Sequence, residues 1–250
     1  MDPKRLLWPS LTAVLMTVAG CSDDDRDFSG FEARPTAFDS LSFAQRAAVD
    51  YFADVALGFE SDVLPDRVRK FLPGEVVVAV TGSGVDPMRL AVVDEVIAEV
   101  NILASDGVVL RRDSAAAVGQ ATLVLGDVGE AGFGTPSATE LRGLGGYFKV
   151  NHNLERGELY SSRAWVNTAL SQAAVRSLIY EELTQSLGIG RDSPRYPESI
   201  FYETSADPGF AQEYAGIDRQ VIRLLYHPRM RVGAYEDEAR LTAARILLEE

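Results

Sequence analysis

The chain has 250 residues, with 24 Lys or Arg against 37 Asp or Glu, a formal net charge of −13 and a single cysteine. That charge argues against nucleic acid or anionic lipid headgroups as electrostatic partners. One cysteine excludes an internal disulfide, so core packing has to stabilise the fold.

Lys4 and Arg5 precede an apolar run from Leu11 to Ala19. The run is too short to span a bilayer and has the dimensions of a signal-peptide core. It ends in Val18-Ala19-Gly20-Cys21, which resembles the bacterial lipobox. The resemblance implies cleavage before Cys21, lipidation of that residue, and a periplasm-facing protein anchored in the cell envelope. Several acyl chains on one residue suffice for stable anchoring. Ser22 follows the cysteine, which by resemblance to enterobacterial sorting favours the outer membrane over the inner. Residues 1–20 are therefore expected to be a signal peptide. Residues 21–40 carry Asp23-Asp24-Asp25, Gly30 and Pro35 and read as a flexible tether. Residues 41–250 have the length of one domain with a sizeable core.

The spacing of Phe43, Ala47, Val49, Phe52 and Val55 predicts a helix over Ser42–Leu57. Glu75–Val80 is rich in β-branched residues and predicts a buried strand. Thr81-Gly82-Ser83-Gly84 comes next. Pro87 takes the place of the third glycine of a dinucleotide loop, so the segment reads as a plain strand–helix turn. Asp86–Leu103 predicts a long helix with a stripe of Leu90, Val93, Val96, Ile97 and Val100. Gly107–Arg112 and Ala121–Leu125 read as strands, and 126–146 as a Gly-rich loop. Gly145–Val150 and Gly157–Asn167 read as paired strands around a turn at Asn153. Helices are predicted over Gln172–Leu187, stopped by Gly188, then over Gly216–Tyr226 and Glu236–Glu249. The expected fold class is α+β, a small mixed sheet with a long N-terminal helix, a motif helix and C-terminal helices.

The helix over 172–187 carries Glu181-Glu182-Leu183-Thr184-Gln185-Ser186-Leu187-Gly188. This resembles the zinc-peptidase helix His-Glu-x-x-His-x-x-Gly-x-x-His, in which two histidines four apart bind zinc and the glutamate is the general base. Glu181 and Gln185 stand at the first two ligand positions and Arg191 at the third. Glu182 stands at the general base. At 100° per residue, Ser177, Glu181, Gln185 and Gly188 form a polar stripe. Glu182 instead projects into the apolar arc beside Val175 and Leu178, where a carboxylate needs a partner or a raised pKa. The alternative is a solvated surface helix with Glu182 at its edge.

Two downstream blocks favour the peptidase resemblance. Ser199-Ile200-Phe201-Tyr202 is similar to the metzincin Met-turn, with Phe201 in place of Met. Residues 216–226 resemble the Asp-x-x-x-Ile/Leu-x-x-Leu-Tyr helix of the same peptidases. From roughly Val55 to Gly233 the chain also resembles a family of proteobacterial proteins of unknown function, many of them expected lipoproteins. Those proteins carry Glu-Glu-Leu-x-Gln-x-Leu-Gly, Ser-Ile-Phe and Leu-Tyr-x-Pro-Arg blocks. The resemblances imply a zincin-like domain.

Gln185 is a weak ligand and Arg191 is not one. Arg191 is expected instead to fill the site and pair with Glu181 or Glu182. No cofactor is expected. The alternative is a divalent metal at Glu181 and Asp192, whose hard oxygens suit Mg²⁺, Ca²⁺ or Mn²⁺ better than zinc. With only two histidines in the chain, His227 is expected to cap a helix end through its charge, or else to replace a ligand. His152 is expected in a turn. No serine or cysteine has a histidine placed to activate it. Arg219, Arg223, Arg229, Arg231 and Arg240 are expected to pair with Glu236, Asp237 and Glu238. The expected function is a degenerate, metal-free peptidase-like module that binds a peptide or protein in the envelope. The alternative is an atypical metal-dependent hydrolase with Glu182 as base.

Overall fold

The structure, a computed structural model, describes residues 37–59, 65–113, 115–116, 118–134, 136–204 and 209–250. The chain divides into units 1–34 and 35–250. The first unit, with the lipobox and Cys21, lies outside the described residues, as does most of the expected tether. Among the described residues no helix is long and apolar enough to cross a membrane.

Six strands make one sheet: β1 (Lys70–Phe71), β2 (Gly74–Thr81), β3 (Val108–Asp113), β4 (Ala121–Gly126), β5 (Gly146–His152) and β6 (Glu158–Asn167). β2 lies between β3 and β4, and β4 pairs with β6, all parallel. β1 pairs in parallel with the first residues of β6. β5 runs antiparallel to β6. The α-helices among the described residues are α1 (Phe43–Ala56), α2 (Pro87–Leu103), α3 (Gln172–Gln185), α4 (Gly216–Leu225) and α5 (Glu236–Leu248). This is the α+β class and the mixed sheet that the sequence implies.

Local chemistry accounts for the element ends. The parallel β2–β3 pair needs a crossover, and α2 supplies it. Asp86 caps α2 by accepting from Arg89 N at 2.8 Å, and Pro87 occupies the first turn. The Thr81–Gly84 segment is a turn whose Ser83 N and Oγ donate to the Glu130 carboxylate at 2.7 and 2.5 Å. An internal carboxylate thus holds the place a phosphate would need. Glu130 belongs to a short 3-10 helix, Val128–Glu130, within the expected loop.

Alternation along the strands sorts the core into two layers. Val76, Val78, Leu123, Leu125, Ala164 and Val166 pack against the helices. On the opposite face Val124 and Trp165 lie under Ala131 and Leu141 from segment 126–146. Trp165 Nε1 donates to the carbonyls of Gly126 and Asp127 at 3.2 and 3.0 Å.

Three expectations need correction. Phe43 is exposed and Ala47 half-buried, because the first turn of α1 extends outward. The buried face is Val49, Tyr51, Phe52 and Val55, against α4 and α5. In α2, Leu90 is half-buried and Val92 takes its place in the core. Arg231 and Arg240 do reach Glu238 and Glu236. Arg219, Arg223 and Arg229 instead pair with Glu99, Glu250 and Glu249, and Arg240 also with Asp50.

Candidate functional site

α3 packs against α2, β5 and β6. Ser171 caps it, accepting from Ala174 N at 3.3 Å. Gly188 turns the chain away with φ +118°, and a Cβ there would fall on the Arg69 carbonyl. Because neighbours flank the helix on most sides, Ser177, Ile179, Tyr180, Glu182, Leu183 and Gln185 are all buried. The solvated-helix reading is therefore overturned, and Ser177 and Gln185 do not form an open polar stripe. From Ser177 to Gly188, only Leu178 and Glu181 are half-buried.

α3 and β5 are the walls of a cleft of about 750 Å³. Glu181, Glu182, Gln185 and Asp192 line one side, and Gly146 to Val150 with His152 line the other. Glu182 is 5% exposed. Its carboxylate lies against the β5 backbone at Gly146, where an added Cβ would come within 2.7 Å of Glu182 Cδ. A side chain there would have to displace the Glu182 carboxylate, so glycine fits by this close approach rather than by its backbone angle. Gln185 Nε2 donates to Asp192 Oδ1 at 2.8 Å. Glu203, overlooked in the sequence, stands at the rim.

Arg191, expected to pair with Glu181 or Glu182, meets another carboxylate, Asp66. Its guanidinium donates to both Asp66 carboxylate oxygens at 2.9 and 2.6 Å. Those hydrogen bonds hold the Asp66 carboxyl below the usual carboxylate range. A planar fork meeting a carboxylate in two places explains why arginine turns that way.

The two histidines also differ from expectation. His227 lies at the end of α4, off the cleft. Its Nδ1 accepts from Arg229 N at 3.1 Å, and burial with Arg229 nearby lowers its pKa. At that helix end Nδ1 is an acceptor. His152, expected in a turn, is the last residue of β5, lines the cleft and packs on Phe59 with ring centroids 6.0 Å apart.

Beneath the cleft, Phe201 is fully buried. Ser199 Oγ donates to Asp218 Oδ1 at 2.5 Å and accepts from Phe201 N at 2.9 Å. It also lies 2.7 Å from the Tyr51 hydroxyl. Asp218 Oδ2 accepts from Ile200 N at 3.2 Å and Ala215 N at 2.8 Å. Burial pushes the Asp218 pKa up to about 6 despite these donors. One buried carboxylate thus ties the Ser-Ile-Phe block to α4 and, through Ser199, to α1.

The positions that would hold zinc carry a carboxylate, an amide engaged with Asp192, and an arginine turned to Asp66. Zinc needs about three protein ligands of N, S or O type. Among the described residues no group of three or more His, Cys, Asp or Glu is placed to hold a metal ion. The residues do not fit the zinc centre of the resembled peptidases.

Fold and cleft together define an α+β domain with its candidate site between one helix and one edge strand. The chain belongs to the family described as protein of unknown function (DUF2927), whose model matches residues 45–244. Among solved structures, a crystal structure of myroilysin is similar at 13% identity and a TM-score of 0.40, covering 70% of this chain and 95% of that one. A second structure of myroilysin gives 11% identity and a TM-score of 0.39, covering 63% and 95%. No curated protein matches the chain.

Proposed function

We propose that this is a lipid-anchored envelope protein whose zincin-like domain binds an extended polypeptide in the cleft, along the edge of β5, without a catalytic metal. The observation that carries this reading is the orientation of β5. Asn167 N donates to the Gly145 carbonyl at 2.8 Å. In an antiparallel ladder the bonded pairs alternate, so the backbone groups of Tyr147 and Lys149 face β6. Those of Gly146, Phe148 and Val150 then face outward into the cleft. An outward row of alternating donors and acceptors beside a groove suits strand addition, in which backbone bonds give affinity and pockets for side chains give selectivity. Nothing in that mode of binding needs a metal.

Hydrogen exchange of the full chain in detergent tests this. A peptic digest of envelope proteins should slow exchange in the segment 146–152. The effect should persist with chelator and vanish in Val150→Pro, which removes one outward donor at a position where an edge strand tolerates proline. Unchanged exchange would sink the reading.

The competing reading is an atypical hydrolase. It is favoured by one observation, that Glu181, Glu182, Asp192 and His152 line a single cleft. It requires near-stoichiometric divalent metal in protein purified without chelator. It also requires a hydrolytic activity that Glu182→Gln abolishes.

A further inference from the structure

β5 does not end at the cleft. A second groove, of about 800 Å³, opens where the strand finishes, and His152 lines both cavities. The β5–β6 register slips between Asn151 and His152. Such an irregularity bends a strand and re-aims the residues beyond it. Three large apolar side chains line the second groove and face solvent: Leu72 at 45%, Leu154 at 62% and Tyr160 at 64% exposure. They come from three segments, the residue after β1, the β5–β6 turn and β6. Exposed apolar side chains gathered in one groove mark an interaction site more often than scattered ones do.

The charged residues in the groove's described lining are acidic, and arginines stand beside it, Arg67 donating to the Leu154 and Glu155 carbonyls. The described lining includes Glu75, Glu155 and Glu158 and no Lys or Arg. Glu75 and Glu158 have arginine neighbours, Arg111 at 3.0 Å and Arg156 at 3.5 Å. The chain as a whole carries −13. That field disfavours an anionic membrane or a second copy of this chain and favours a cationic segment.

We propose that the polypeptide bound along β5 continues past His152 into this second groove. There an apolar side chain seats among Leu72, Leu154 and Tyr160, and flanking basic residues face Glu155 and Glu158. The inference rests on the strand-addition reading above and adds to it a length and a chemistry for the ligand. A strand rises about 3.3 Å per residue, so the seven residues of β5 span about 23 Å. A ligand of about six residues covers the strand alone, whereas one of about fourteen also reaches the groove.

Two fluorescein-labelled peptides of alternating Lys and Val, of those two lengths, test this by anisotropy against the full chain in detergent, with a detergent-only blank. The longer peptide should bind at least about tenfold more tightly, a difference of about 1.4 kcal/mol. Leu154→Asp and Tyr160→Ser change exposed side chains, and circular dichroism should show both variants folded. Each should erase the length advantage and leave the shorter peptide's affinity unchanged. Equal affinity for both lengths in the parent protein would overturn the second groove and leave strand addition standing. A length advantage that survives in both variants would also overturn it. Equal binding of a Glu–Val peptide would overturn the basic assignment. No binding of either Lys–Val peptide would overturn this inference. Exchange in 146–152 with the peptic digest would then decide strand addition separately.

Discussion

The cleft and the layer beneath it are held by different kinds of contact. In the cleft, Gln185 and Arg191 are held by hydrogen bonds to carboxylates that are partly open to solvent. Gln185 donates to Asp192 and Arg191 to Asp66. Beneath the cleft, Ser199, Phe201 and Asp218 close a buried set of hydrogen bonds with Tyr51, Ile200 and Ala215. The comparison teaches that the scaffold is held together from below, by a desolvated carboxylate and packed aromatics, and not from the site inward. Altering the lower layer should therefore unfold the domain, whereas altering the cleft should change its shape or binding.

The largest expected effect lies in the lower layer. Asp218→Ala strands three donors at once, two of them buried, and each buried unsatisfied group costs about 1–3 kcal/mol, so a loss of about 3–5 kcal/mol is expected in denaturant unfolding. The pH dependence gives a sharper test. The folded pKa of about 6 lies above the ordinary 3.8, so folding favours the protonated acid. Its contribution is present in full below about pH 4 and is lost as pH rises through about 6. By linkage the loss is about 3 kcal/mol. Asp218→Asn cannot titrate. Its stability deficit relative to the parent should therefore shrink by about that amount between pH 4 and pH 7. A deficit independent of pH would show that Asp218 folds as an ordinary carboxylate.

A smaller effect is expected where the two regions meet the sheet. Gly146→Ala drives a methyl group into the Glu182 carboxylate. Overpacking of this kind costs about 1–3 kcal/mol. If that contact is the cause, Glu182→Ala should make room for the methyl, and the double variant should be more stable than the sum of the single losses. A coupling of about 1–2 kcal/mol is expected in the double-mutant cycle. Strict additivity would mean that Glu182 does not sit on the β5 backbone.

Arg191→Ala should cost less, about 1 kcal/mol or below, since both partners in the Asp66 pair are partly solvated. The direction with pH is opposite to that of Asp218. The Asp66 pKa is lowered in the fold, so the pair stabilises above the ordinary carboxylate range, and the benefit fades as pH falls through the lowered value. The parent and Arg191→Ala should converge in strong acid.

Much of this arrangement can be traced to local sequence, and the exceptions share a physical cause. Periodicity and caps mark α1 to α5 and β2 to β6, with ends shifted by one or two residues. Helical geometry alone places Glu182 on the apolar arc of α3, and it is buried there. β1 escapes notice because two residues show no period. His152 is misplaced because the register slips next to it, and strand alternation cannot anticipate a slip. Asp66, which Arg191 meets, is 125 residues away in the chain, and no local rule points to it. Local preference decides which element forms, but tertiary neighbours decide what each long charged side chain meets.

Phe43 provides the last and smallest test, because pattern and structure disagree about it directly. Helical spacing groups it with Phe52, yet it is 89% exposed in the first turn of α1. A side chain already in water loses almost nothing when truncated, so Phe43→Ser should alter unfolding free energy by no more than about 0.5 kcal/mol. Ser42 would still cap the helix through Gln45 N, so helix initiation should be unaffected. A loss of about 2 kcal/mol or more, the scale of one buried apolar side chain, would show that the start of α1 is covered. The boundary between core and surface at that end of the domain would then have to be redrawn.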